Sequence, residues 1–150
     1  MASKFSMIPR MSHFFKSVGS GFVVFLIFFG APVFVYSIFQ KFLGMSPPAQ
    51  ATETAIYQLA SLKAVEAFIL VMIFLLVIER RRGKEKKYAF LIASLLFVQG
   101  GLVTEIWYHL TLNAPKLYTA AGICSSFISY ALSAWFLSKM YKSVPNMIIP

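Results

Sequence analysis

Four side chains of this sequence stand where ionisable groups are expensive. Lys63, Glu66, Glu105 and His109 all fall inside long apolar stretches, and a charge placed in hydrocarbon is costly unless it is paired or hydrated. Lys63 and Glu66 are three residues apart, and Glu105 and His109 four apart; on a helix, both spacings put the two side chains on one face. Such a set has two uses. It can pin helices together as structural ion pairs, or it can form a site for a polar ligand or a proton. One lysine–glutamate pair suffices for pinning, and it leaves the second carboxylate and the imidazole over.

The elements that must position these groups follow from hydropathy. Apolar stretches cover 22–42, 55–78, 89–112 and 117–137, each long enough for a bilayer crossing, which takes about 20 helical residues. They predict helical spans over about 19–43, 55–79, 88–112 and 117–140. Between the second and third lies Glu79-Arg80-Arg81-Arg82-Gly83-Lys84-Glu85-Lys86-Lys87, a turn that cannot rest in hydrocarbon. The predicted fold is all-α: a single-domain polytopic membrane protein built as an antiparallel, up-down-up-down four-helix transmembrane bundle. No internal repeat stands out, and 150 residues leave no room for a second domain.

Composition agrees. The chain is 59% apolar, 17% aromatic and only 13% charged, with no Asp, far from the soluble average. A net charge of +9 would suggest nucleic acid in a soluble protein. Here the charge sorts by side of the membrane instead. Lys63 aside, eleven Lys and Arg fall at the two termini and in the second turn, whereas Lys41 and Lys116 alone occupy the other two turns. Basic short loops favour the cytoplasmic side, so both termini are expected inside, in a bacterial cytoplasmic membrane. No nucleic-acid partner is expected; the partner is the lipid bilayer. Trp107, Tyr108 and Tyr118 fall at the expected outer aromatic belt, and Trp135 and Tyr141 at the inner one.

Several local features refine this layout. The small-residue run Ala49-Gln50-Ala51 resembles a signal cleavage site, but it would need a leader far longer than the usual ~15–30 residues. The first span is expected to be a retained helix, kinked at Pro32. Met7, Ile8, Met11, Phe14 and Phe15 recur at near-helical spacing beside Arg10 and Lys16. They predict either a short interfacial helix or an ordinary basic flank. Residues 44–54 read as a loop, with Thr52 or Thr54 capping the second helix. Gly100-Gly101, Gly122 and the series Ser125, Ser126, Ser129 and Ser133 are small enough to let helices approach closely. Cys124, the only cysteine, excludes an internal disulfide and paired-thiol chemistry; it is expected as filler in a helix interface.

Depth can be compared by counting from the basic turn. Lys63 is fifteen residues from Ile78 and Glu105 seventeen from Tyr88, a difference of only about 3 Å at ~1.5 Å per residue. Neighbouring antiparallel spans would thus pair Lys63 with Glu105. Glu66 falls about one turn deeper and His109 about one turn nearer the outer surface. Tyr36 and Gln40 reach the same outer zone from the first span, and Ser126 and Tyr130 close the deeper end from the fourth. The predicted site is a pocket lined by Tyr36, Lys63, Glu66, Glu105, His109 and Tyr130, open to the non-cytoplasmic side above an apolar plug.

The same residues argue against several chemistries. A membrane haem wants two His at matched depth on facing helices, and the only other histidine, His13, precedes the first span. No pair of Glu-x-x-His motifs supports a di-iron centre. A metal held by Glu66, Glu105 and His109 would have one imidazole only, and no metal site is expected. There is no phosphate-cradling glycine loop and no zincin motif. No cofactor is identified.

The layout resembles the DoxX-like family of small four-helix membrane proteins. The matching parts are Ile38-Phe39-Gln40-Lys41-Phe42-Leu43-Gly44 closing the first span, Leu59-Ala60-Ser61-Leu62-Lys63-Ala64-Val65-Glu66 in the second, and a third span ending near His109. The family usually carries a small residue, often Gly, where Lys63 stands. Some members are implicated in quinone-linked sulfur oxidation and others in membrane-complex assembly.

Two function classes result. The bundle either binds a lipophilic ligand, a quinone or a lipid, or serves as accessory subunit in a membrane complex or homo-oligomer. Alternatively it is a small transporter or proton-coupled channel using Glu66, Glu105 and His109, or a membrane-embedded enzyme in which Glu105, Tyr108 and His109 do acid–base work. A relay needs polar groups across the whole membrane, and the segment 68–78 has nothing ionisable. A one-sided binding pocket is the preferred expectation.

Overall fold

The structure, a computed structural model, describes residues 8–46, 53–80 and 83–141. In chain order these form α1 (Ile8–Leu43), α2 (Glu53–Arg80), α3 (Glu85–Leu96), a π-helix (Phe97–Val103), α4 (Thr104–Leu112) and α5 (Lys116–Met140). α3, the π-helix and α4 run on without a break as one third span. The fold is all-α, with four helices long and apolar enough to cross a membrane. The chain is accordingly an integral membrane protein of four spans.

The spans are arranged as a ring. α1 packs on α2 and α5, and α3 packs on α2 and α5, the neighbour pattern of an up-down-up-down bundle. α5 is the most enclosed, with 44% of its most apolar window buried against 22% for each of the others. Its buried face carries Ala121, Gly122, Ser125, Ser129, Ser133 and Ala134, whose small side chains permit close backbone approach. Two of these serines spend their hydroxyls on their own helix, Ser125 donating to the Gly122 carbonyl at 2.9 Å and Ser129 to that of Ser125 at 2.8 Å.

The larger packed core lies toward the basic end, where Val24, Phe28, Leu70, Val71, Phe74, Ile92 and Leu137 are buried together. In lipid, this cohesion comes from close van der Waals contact rather than from expulsion of water. Tyr141 ties three spans there. Its hydroxyl hydrogen-bonds that of Ser20 at 3.0 Å, its ring meets Phe74 edge-on at 5.7 Å, and the Lys16 ammonium lies 4.7 Å from its centroid. A smaller cluster of Val35, Met45 and Ala121 closes the far end. Gly44, at φ +65°, ends α1 in the left-handed region that glycine enters without steric cost, and so turns Met45 back into that cluster.

Some expectations change. α1 is one helix from Ile8 through Pro32 to Leu43, so 8–16 is not a separate helix but runs straight into the first span, which begins at Phe15. The aromatic flanks Trp107, Tyr108 and Trp135 are exposed, as lipid-facing belts require. Cys124 is exposed, because its position on α5 turns it away from the buried serine face; it fills no helix interface. Thr52 and residues 1–7 lie outside the described residues.

Candidate functional site

α2 presents Lys63 and Glu66 one turn apart, with the Lys63 ammonium 2.7 Å from Glu66 Oε2. The other carboxylate oxygen, Oε1, accepts the hydroxyl of Tyr130 on α5 at 2.5 Å. Tyr130 is buried and held by two rings, Phe28 at 5.0 Å and Phe97 at 6.4 Å, both edge-on. The Lys63 ammonium in turn lies 5.7 Å from the centroid of Phe28, within range of a cation–π attraction. Lysine, carboxylate and phenol thus form one connected chain, framed by aromatic rings from α1 and the third span.

The π-helix supplies the wall behind that chain. A Cβ added to Gly100 would lie 3.1 Å from the Tyr130 hydroxyl and 3.9 Å from Glu66 Oε1. Its neighbour Gly101 meets α5 one turn before Tyr130, where a Cβ would come within 2.8 Å of both Ser126 Cβ and the Phe97 ring. Adjacent glycines therefore let one short segment approach both the Tyr130–Glu66 pair and the body of α5. A π-helical turn inside a span rotates the residues after it relative to the helix before it, and such turns recur at functional sites.

Glu105 stands in the first turn of α4. Its carboxyl group occupies the space over Gly122 on α5, where an added Cβ would overlap it. Among the described residues no protein group donates a hydrogen bond to Glu105, and the charge acting on it is that of Lys63. Glu105 lies within electrostatic range of Tyr36 on α1. Tyr36 is half-buried, its ring 6.3 Å from that of Tyr118, and the Tyr118 hydroxyl donates to the Ser46 carbonyl.

The expected direct pair of Lys63 with Glu105 is replaced by Lys63 with Glu66. The packing explains it. α2 packs along α3, whereas the π-helix and α4 pack on α5, so spans two and three draw apart beyond Leu96. Equal depth does not bring two side chains into contact when the helices that carry them diverge, and a partner one turn away on the same helix wins.

His109 is engaged elsewhere. Its Nδ1 lies 2.7 Å from the Ala114 carbonyl, and since a carbonyl only accepts, Nδ1 carries the proton. The bond closes the turn in which Asn113, at φ +50°, ends α4 in the left-handed conformation before Pro115 opens α5. No hydrogen bond joins His109 to Lys63, Glu66 or Glu105. The six expected residues thus fall into three groups. Lys63, Glu66 and Tyr130 are bonded, Glu105 and Tyr36 are within electrostatic range, and His109 serves the helix end. Sequence reasoning gave Gly100 and Gly122 a packing role; that each also borders a polar group of the site depends on the π-helix and on the divergence of spans two and three.

Among the described residues no three of His, Cys, Asp and Glu converge as metal ligands. No protein-family model, curated protein or solved structure matches the chain. The DoxX-like resemblance therefore reaches no further than the layout of four long apolar helices.

Proposed function

We propose that the cleft between α2 and the far half of the third span binds the polar head of a lipophilic ligand, a quinone or a lipid, entering from the membrane. One observation carries this reading. Lys63 and Glu105 lie within electrostatic range of each other where α2 leaves the third span, and both retain unspent hydrogen-bonding capacity. An ammonium has three donors, and Lys63 gives one of them, to Glu66; Glu105 accepts none from the described residues. A donor and an acceptor are thus offered together at membrane depth, beside lipid-exposed Leu62, Val65, Val103 and Ile106. A carbonyl or phosphate oxygen would take the lysine, and a hydroxyl would take Glu105. Mostly apolar walls with a few converging polar groups are what such ligands need.

The proton-relay alternative has less support. Toward the basic end the bundle is filled by Phe74, Ile92 and Leu137, and the Ser125 and Ser129 hydroxyls are turned onto their own helix. An accessory role in a larger assembly would use the lipid-facing surface without needing Lys63 or Glu105. The orientation we infer alongside places the basic end and both termini in the cytoplasm, on the distribution of Lys and Arg.

The test uses diazirine-bearing analogues of ubiquinone and of phosphatidylethanolamine with the full chain in lipid nanodiscs. Adducts are expected in 57–69 and 97–109, with yield falling on Glu105→Gln. Labelling spread evenly over all lipid-facing helix surfaces, or unchanged by Glu105→Gln, would overturn the proposal.

A further inference from the structure

The basic end of the bundle holds a cavity that the cleft above does not involve. It has a volume of about 890 Å³ and lies between the start of α3 and the end of α5. Lys84, Lys86, Lys87 and Lys139 line it, together with Phe90 and Trp135. The four lysines are exposed. The carboxylate of the lining is Glu85, which is buried and accepts the Gly83 N–H at 2.8 Å, so four lysines stand against one carboxylate. The result is a cationic recess at the level where a bilayer carries its head groups.

Its second tier distinguishes one kind of anion from another. Trp135 precedes Lys139 by four residues on α5, and Phe90 follows Lys86 by four on α3, so each aromatic ring lies under a lysine, about 6 Å toward the membrane centre. Both rings are open to lipid, Phe90 at 38% and Trp135 at 55% exposure. A soluble anion would engage the lysines alone. A phospholipid with a net negative head group engages both tiers, its phosphate among the ammonium groups and its chain along the rings, with the indole N–H free to donate at the boundary.

We propose that this cavity is a binding site for an anionic phospholipid, held by Lys84, Lys86, Lys87 and Lys139 at the phosphate and by Phe90 and Trp135 along the acyl chain. The charge pattern that orients a membrane protein would here also build a defined lipid site, independent of the ligand cleft.

The experiment is native mass spectrometry of the delipidated full chain in neutral detergent, titrated with phosphatidylglycerol or phosphatidylcholine. Phosphatidylglycerol is expected to bind more tightly than phosphatidylcholine, and K84Q/K139Q to weaken it by about tenfold or more. Removing the same charge at the other end, in K41Q/K116Q, is expected to change it less than about twofold, since screened charges act over only ~10 Å. Trp135→Ala, which alters no charge, should also weaken binding. Equal losses in the two double variants would mean bulk attraction and would overturn the site. Equal binding of the two lipids would do the same, and displacement by millimolar glycerol 3-phosphate would show that the recess takes a free anion and not a lipid. Melting temperatures in the same detergent report whether each variant is folded, and a Trp135→Ala protein that is folded and binds as the parent does would refute the apolar tier.

Discussion

The Tyr130 hydroxyl donates to Glu66 Oε1 at 2.5 Å, joining α5 to α2, two spans that sit diagonally across the ring and do not otherwise pack closely. It is a strut through the middle of the bundle. A hydrogen bond to a charged acceptor contributes about 1.5–3 kcal/mol. Tyr130→Phe, which keeps the ring between Phe28 and Phe97, should therefore destabilise the bundle by roughly that amount. Glu66→Gln removes the charge but keeps an acceptor. A double-mutant cycle by denaturant unfolding in detergent should give a coupling of about 1 kcal/mol or more. Strict additivity would mean that phenol and carboxylate do not interact.

Lys63 allows a sharper test, because sequence and structure give it different partners. Lys63→Met strands a carboxylate at membrane depth, where it must be protonated or hydrated, and is expected to cost on the order of a few kcal/mol. Adding Glu66→Gln should recover most of that loss; adding Glu105→Gln should recover little. The reverse pattern would restore the direct Lys63–Glu105 pair and imply that spans two and three stay close over their whole length.

That contrast shows what was legible in the sequence. The spans were, because hydropathy and the basic turn at 79–87 leave few arrangements open. The chemically interesting residues were too, since each ionisable group inside an apolar stretch stands out. The π-helix was not: in 89–103, where Ser94 and Gln99 are the polar side chains, two positions are too few to reveal a change of helical period. Gly100-Gly101 was the one visible sign, and it fits ordinary close packing equally well. Without the π-helix, the divergence beyond Leu96 could not be foreseen, and so neither could the partner of Lys63. His109 illustrates a different limit. Its type suggests a proton site, yet the Asn113-Ala114-Pro115 turn that follows supplies a carbonyl for its Nδ1.

The two glycines of the π-helix are expected to respond differently to the same change. Replacing a helical glycine by alanine gains about 0.5–1 kcal/mol from backbone entropy. At Gly101 the new methyl meets Ser126 Cβ and the Phe97 ring, neither of which can retreat easily, and overpacking of this kind costs about 1–3 kcal/mol. At Gly100 the tight contact is with the Tyr130 hydroxyl, at 3.1 Å, and Glu66 Oε1 lies at an ordinary 3.9 Å. Gly101→Ala should therefore be clearly the less stable of the two in thermal unfolding. Equal stabilities would mean that the π-helix does not pack on α5 as described.

Orientation is tested by labelling from outside intact cells, in a Cys124→Ser background that removes the exposed native thiol. A cysteine at position 84 should resist a membrane-impermeant maleimide, while one at position 50 should react. The opposite pattern would invert the bundle and place the lysine-lined cavity on the outer face.

Gly122→Ala separates a binding role for Glu105 from a structural one. The added methyl falls where the Glu105 carboxyl group lies, but that group is the end of a flexible side chain that accepts no hydrogen bond from the described residues, so moving it breaks little. The entropy gained by alanine in a helix offsets the displacement, and stability should stay within about 1 kcal/mol of the parent. Ligand capture should not stay unchanged, because a carboxylate pushed off Gly122 no longer faces the cleft with Lys63. Crosslinking by the ubiquinone or phosphatidylethanolamine analogue should fall severalfold in this variant, as in Glu105→Gln, while melting temperature barely moves. Were Gly122→Ala instead to lower stability by several kcal/mol with crosslinking intact, Glu105 would belong to the packing of α4 on α5 and not to a ligand site.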